Sequence, residues 1–360
     1  QFVPQVNKYL AYLTIYGNPT HILAPIRLEI WDASACLRYA VLEDYFTFQP
    51  DNVIGNPVSP QVVHTSGYVL RDVPLGYGWN WLSFNLAFPD PDLDAALMSL
   101  HHPEGDLLKG QNAFSTYLSG GGWLGSLDTL GNKSMYIYRA NVPDTLRMLG
   151  NVLDPATTPI PLVTGWNWIG YIPNYSLPLN DALASLPAQT GDLVKSQVSF
   201  AQYISPDYGW IGNLKFMQPP NGYQIKLAAP GTLVYPPPSS NRNNAGASDQ
   251  DIRLSVNARG IPENVPPVSS YWNVDPTQFE YSMTLIGMLK IIGLNATTAT
   301  MELGVFSGNQ LRGSAQAIYI APMQSYCFFL TTYANTSGEQ LRYKLFDSSN
   351  GTVQDLNEQM

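Results

Sequence analysis

Apolar and polar positions alternate through Gly78-Trp79-Asn80-Trp81-Leu82-Ser83-Phe84, which predicts a strand. Trp79, Trp81 and Ser83 fall on one face, and Leu82, Phe84 and Leu86 on the other. Leu93, Leu97 and Leu100 then recur at i, i+4 and i+7, predicting a short helix from Leu93 to Leu100 with one buried face. Three strands follow, around 107–117, 123–127 and 135–139. The whole succession returns 86 or 87 residues later. Gly165-Trp166-Asn167-Trp168-Ile169 repeats the first strand, and Leu179, Leu183 and Leu186 repeat the helix face. Gly191-Asp192-Leu193-Val194-Lys195-Ser196-Gln197 repeats Gly105-Asp106-Leu107-Leu108-Lys109-Gly110-Gln111, and Gly209-Trp210-Ile211-Gly212 repeats Gly122-Trp123-Leu124-Gly125. A period of this size marks a tandem pair of small α+β modules.

The flanks read as β-structure. Tyr9 to Tyr16 is a β-branched and aromatic run closed by Gly17-Asn18-Pro19, and Ile26 to Asp32 alternates as a strand. Two more strands are expected at 39–48 and 61–69. Beyond the linker-like Pro236-Pro237-Pro238-Ser239-Ser240, strands are expected at Ile252 to Val256, Tyr281 to Ile292, Thr300 to Phe306, Ala315 to Ile320, Tyr326 to Tyr333 and Leu341 to Phe346. Their spacing predicts an antiparallel, immunoglobulin-like β-sandwich. The start of the chain echoes its end: Tyr9 to Asn18 lies over Tyr326 to Asn335, and Leu28 to Ser34 over Tyr343 to Ser349. The expected organisation is therefore an incomplete sandwich half (1–70), module 1 (71–150), module 2 (151–236), a linker with a leading strand (237–270) and a C-terminal β-sandwich (271–360). The fold class is mainly β with short helices. The late strands at the N-terminal end read as having unpaired edges.

Composition narrows the function classes. Charged residues make up 12% of the chain, about half the usual share, and the net charge of −9 disfavours nucleic acid as a partner. No apolar run is long enough to insert in a membrane as a helix. Few charges with many Asn, Thr, Ser and Tyr suit an extracellular or cell-surface protein. Cys36 and Cys327 fall in different predicted domains and read as free thiols. Residues Gln1-Phe2-Val3-Pro4 do not read as a signal peptide.

Candidate chemistry is sparse. Trp79, Trp81 and Trp123, repeated as Trp166, Trp168 and Trp210, would form glycan-stacking platforms if exposed and module cores if buried. Asp106 with Lys109, and Asp192 with Lys195, read as local ion pairs that fix a tight turn. No third group beside them activates a lysine nucleophile. In Pro89-Asp90-Pro91-Asp92-Leu93-Asp94 the acids are placed to cap a helix, and the calcium-loop pattern is missing. His21, His64, His101 and His102 have no metal spacing, so neither metal nor cofactor is expected and no catalytic residue is assigned.

The Gly-Trp-Asn-Trp start, the Gly-Asp-x-x-Lys-x-Gln turn and the Gly-Trp-Leu/Ile-Gly strand resemble a module of large secreted repeat proteins of Bacteroidota and related bacteria. Tyr281-Ser282-Met283-Thr284, Gly304-Val305-Phe306, Arg312-Gly313 and Phe329 to Tyr333 resemble the β-sandwich that accompanies it. Departures are Gly170 opposite Ser83, and Met301-Glu302-Leu303 ahead of the glycine. The resemblance implies a surface role and carries no catalytic residues.

The expected function is thus a non-enzymatic extracellular structural protein, a segment or subunit of a fibre or adhesin. Its partners would be copies of itself or adjoining repeats of a longer chain, joined head-to-tail through strands. The assembly edge would comprise Tyr9, Leu10, Tyr12, Leu13, Ile15 and Tyr16 together with Phe328 and Leu330. The alternative is a carbohydrate-binding array that uses the tryptophan faces on surface glycans.

Overall fold

A computed structural model describes residues 23–32, 37–47, 62–63, 68–101, 104–237, 270–291 and 294–359. The chain divides into two compact units, Gln1–Val69 and Leu70–Met360. In the first unit β1 (Leu23–Asp32) and β2 (Leu37–Thr47) form an antiparallel hairpin, with Leu28 opposite Leu42 and a register shift at Ile30/Trp31. The short β3 (Val62–Val63) extends β2. The expected strand from Tyr9 to Tyr16, Cys36, the leading strand at Ile252 to Val256 and most of the proline-rich linker lie outside the described residues.

The second unit opens with module 1. It contains β4 (Tyr68–Leu75), β5 (Gly78–Ser83), β6 (Leu86–Ala87), α1 (Leu93–Ala96), β7 (Leu107–Lys109), β8 (Phe114–Leu118), β9 (Gly122–Gly125), β10 (Met135–Ala140) and β11 (Asp144–Val152). Module 2 contains β12 (Ile160–Leu162), β13 (Gly165–Ile169), β14 (Leu177–Pro178), α2 (Leu179–Ala182), β15 (Leu193–Lys195), β16 (Phe200–Ser205), β17 (Gly209–Gly212), β18 (Phe216–Met217), β19 (Tyr223–Leu227) and β20 (Gly231–Leu233). The main sheets run β5-β10-β7-β8-β9 and β13-β19-β15-β16-β17, the same order in each. Register agrees too, with Trp79 opposite Arg139 and Trp166 opposite Lys226.

The alternation of the first strand sorts its faces as expected. Leu82, Phe84 and Leu86 are buried in the core of module 1. Ile169, Tyr171, Val194, Tyr223 and Tyr235 occupy the core of module 2. Two expectations change in detail. The helices last a single turn, because Leu97 already closes α1 and the N–H of Leu100 turns back to the carbonyl of Leu97. Leu93, Leu97 and Leu100 are nevertheless all buried, as are Leu179, Leu183 and Leu186. The expected strand at 107–117 is a hairpin, since Gly110 N–H bonds back to Ala113 O and leaves Gln111 at the tip.

The C-terminal sandwich comprises β21 (Tyr281–Gly287), β22 (Lys290–Ile291), β23 (Leu294–Asn295), β24 (Met301–Ser307), β25 (Gln310–Ile320), β26 (Ser325–Ala334), β27 (Arg342–Asp347) and β28 (Thr352–Gln359). The strand order is β21-β26-β25-β24-β27-β28. The first half of β25 pairs with β24 and its second half with β26, so this strand turns the corner between two layers. Leu303, Val305, Phe328, Leu330, Tyr343 and Leu345 fill the space between them. Phe328 and Leu330 therefore do not form an assembly edge. β26 is paired on both sides, by β21 and β25, and these two side chains point into the core. Glu302 is buried and accepts from Ser270 Oγ and from the N–H groups of Tyr271 and Trp272, which ties the leading segment to β24.

Candidate functional site

The repeated motifs meet at the junction between the modules, and they do so reciprocally. β5 and β13 are edge strands of their sheets, with peptide groups unpaired on one side. Gln197 donates from Nε2 to Trp79 O (2.8 Å) and accepts at Oε1 from Trp81 N–H (3.1 Å). Gln111 does the same for the other module, donating to Trp166 O (2.8 Å) and accepting from Trp168 N–H (2.8 Å). The side-chain amide carries a donor and an acceptor, so it pairs with an edge strand as a peptide group would. A third reciprocal pair follows along the same strands, with Ser83 N–H on Pro220 O (2.7 Å) and Gly170 N–H on Lys133 O (3.0 Å). Equivalent residues exchanging equivalent contacts define an isologous interface, so the two modules form a pseudo-two-fold dimer within one chain.

The exchange of Ser83 for Gly170 has a local cause. Ser83 Oγ donates to Asn221 O and accepts from Tyr171 N–H. A Cβ on Gly170 would stand 2.0 Å from Asn132 O, so only glycine admits that approach.

The lysines do not pair with the aspartates of their own turns, contrary to the sequence expectation. Asp106 is buried and accepts from Tyr138 Oη (2.6 Å) and Asn141 N–H (2.8 Å). Asp192 is likewise buried, accepting from the N–H groups of Gln189 and Ala228. Each carboxylate thus turns inward to the strand beside it and the residue after that strand, while the lysine three positions on projects toward the junction. Lys109 lies 4.7 Å from the Trp79 ring centroid and pairs with Glu280. Lys195 lies between the rings of Trp81 and Trp166, 5.4 Å from each, and donates to Ser282 Oγ (3.2 Å) and Ser282 O (3.3 Å). Burial lowers its pKa to about 8.

Both lysines therefore reach into the C-terminal sandwich, which docks across the junction. On module 2, Phe200 packs on Phe329, with ring centroids 5.3 Å apart, beside the buried Ile320 and Cys327. Burial pushes the Cys327 thiol pKa up. Asn213 Nδ2 donates to Phe329 O (3.0 Å), and Tyr333 Oη donates to Gln197 O (2.8 Å). On module 1 the segment at Pro276–Gln278 lies against β5, close enough that a Cβ on Gly78 would meet Thr277 O at 2.2 Å.

The six tryptophans do not form matched platforms. Trp79 and Trp210 are buried, and Trp81, Trp123 and Trp168 are half-buried. Only Trp166, 40% exposed, presents much of its ring. Trp123 packs edge-on against Tyr117 and Tyr138, and Trp210 against Tyr203. A cleft where the three domains meet, walled by Trp81, Gln197, Phe279, Glu280, Ser282 and Tyr333, encloses about 170 Å³ counted with open solvent. Its interior does not admit a water-sized sphere, so it is not a ligand pocket of the ordinary ~300–1,000 Å³ size. Asp92 accepts from the N–H groups of Asp94 and Ala95 as the cap of α1.

The recurrence of Gln111 and Gln197 was the sequence signal for this junction. Thr277, Glu280 and Asn213 carried none, because their partners are distant in sequence and the contacts occur once. Comparison of the chain with family models, with curated proteins and with solved structures gives no match.

Proposed function

We propose that this chain is a non-enzymatic structural protein of the cell surface or extracellular space, a segment or subunit of a fibre or adhesin assembled head-to-tail through β-strand contacts. The observation that carries this reading is the reciprocal capping of β5 and β13 by Gln197 and Gln111. The residues that define the repeat are spent on joining domain to domain, and the lysines and aspartates beside them are held by structural partners. A repeat that commits its glutamines, its lysines and one edge strand of each module to junctions holds its domains in fixed relation. The low charge with many Asn, Thr, Ser and Tyr supports an exterior setting, as does the resemblance to secreted repeat proteins. Among the described residues no helix is long and apolar enough to cross a membrane.

Sedimentation across a concentration series, with electron microscopy of the concentrated sample, tests the assembly. Concentration-dependent growth into linear oligomers is the expected result; a monomer at every concentration overturns it. One observation favours the carbohydrate-binding alternative, namely the exposed ring of Trp166. Retention of the protein on a glycan array, lost in Trp166→Ala, would decide for that reading.

A further inference from the structure

Among the described residues of the second unit, the approximate two-fold axis relates the modules but leaves the C-terminal sandwich without a counterpart. The sandwich covers Phe200 and Ile211 of module 2 and the Gly78–Trp79 edge of module 1. The axis carries that composite surface onto Phe114 and Leu124 of module 1 and the Gly165–Trp166 edge of module 2. Among the described residues of this unit the copied surface is open. Phe114 is 54% exposed where Phe200 is 1%, and Trp166 is 40% exposed where Trp79 is 7%. Leu124 is 53% exposed and Leu118 beside it 37%. A Cβ on Gly165 would meet nothing within 4 Å, whereas the same atom on Gly78 collides with the sandwich. An apolar face of this kind marks an interaction site.

What fills the occupied surface identifies what fits the open one. β26 presents alternate residues to module 2: Cys327 and Phe329 pack there, and Tyr333 donates to Gln197 O. The intervening Phe328 and Leu330 face the sandwich core. The run from Tyr9 to Tyr16 has that pattern and lies over β26 at an offset of 317. In this register Leu10, Tyr12 and Tyr16 fall at the docking positions of Cys327, Phe329 and Tyr333, and Leu13 falls at the core position of Leu330. The chain's own β26 is already engaged with module 2 and is not free to serve.

We infer that the face formed by Phe114, Leu118 and Leu124, continuous with the Gly165–Trp166 edge, receives the Tyr9–Tyr16 segment of a second copy of this chain. Docking by apolar and aromatic anchors at alternate positions is a recurrent mode of strand recognition. The inference rests on the head-to-tail reading and specifies its surfaces: the start of one copy seats on module 1 of the next, in the way that β26 seats on module 2.

The test uses the full chain carrying Phe114→p-benzoylphenylalanine, prepared unlabelled and nitrogen-15-labelled, mixed and irradiated. Mass spectrometry of the digest should place the adduct on a peptide spanning Tyr9 to Tyr16 of the other isotopic copy. An adduct confined within one isotopic chain, an adduct on another segment, or none in a self-associating sample overturns the inference. In parallel, Phe114→Asp with Leu124→Asp should weaken self-association at least about tenfold, because two buried apolar anchors are replaced by charges. Tyr208→Asp, at an exposed aromatic outside the face, should leave it unchanged. Undiminished assembly of the double variant removes this inference and spares the head-to-tail reading; a wild-type monomer at every concentration removes both.

Discussion

Gln197→Ala is the sharpest probe of the module junction. It deletes two hydrogen bonds and leaves Trp79 O and Trp81 N–H on an edge strand without their partners. A net hydrogen bond contributes about 0.5–1.5 kcal/mol, and a buried group left unpaired costs about 1–3 kcal/mol. Trp81 is half-buried, and the sandwich closes over this site through Tyr333 and Ser282, so water replaces the lost amide poorly. The expected loss is therefore about 2 kcal/mol. Gln111→Ala removes the matching pair from an exposed site that water can refill, and about 1 kcal/mol is expected. Gln197→Glu separates bonding from packing. It keeps the size of the side chain but turns the donor facing Trp79 O into an acceptor, and should cost at least as much as alanine. Urea unfolding followed by tryptophan fluorescence measures all three. Equal costs for Gln111→Ala and Gln197→Ala, or a neutral Gln197→Glu, would refute capping of the β5 edge by the Gln197 amide.

Two further outcomes follow from the same geometry. Lys195 has a folded-state pKa of about 8 against an ordinary 10.5, so between those values the unfolded chain holds more protons and stability rises with pH. Below about pH 8 the full penalty applies, up to about 3 kcal/mol. Lys195→Met should flatten this rise, which ionisation of Cys327 near pH 9 and then of tyrosines near pH 10 in the unfolded chain opposes in variant and wild type alike. Lys215, whose pKa burial also lowers, retains its own share. An identical rise in variant and wild type refutes the assignment. At the two module edges, Gly165→Ala should cost about 1 kcal/mol, the strain of a side chain at φ +92°. Gly78→Ala carries the same strain and also displaces Thr277, so it should cost clearly more and loosen the sandwich; equal melting shifts would contradict the docking.

Local chemistry was legible in the residue pattern. The period of two placed Leu82, Phe84 and Leu86 on the core face, and the i, i+4, i+7 spacing placed Leu93, Leu97 and Leu100. Both depend only on neighbours in the chain, which is why β5, β13 and the β-rich class are legible in the sequence alone. Two copies of one motif also implied two copies of one fold, and the matching sheet orders agree with that. Partner choice could not be read in this way. Lys109 finds Glu280 rather than Asp106 because Asp106 turns inward to Tyr138 and Asn141 while the lysine points out of the strand. Phe328 and Leu330 look like edge residues in sequence, and only the packing of the second sandwich layer over β26 makes them core. Trp79 and Trp166 share the local sequence Gly-Trp-Asn-Trp, yet one is buried and the other exposed, because a single sandwich lies against one of two equivalent surfaces. A repeated sequence specifies equivalent sites; which of them is occupied depends on contacts between residues far apart in the chain, and only the tertiary structure decides that.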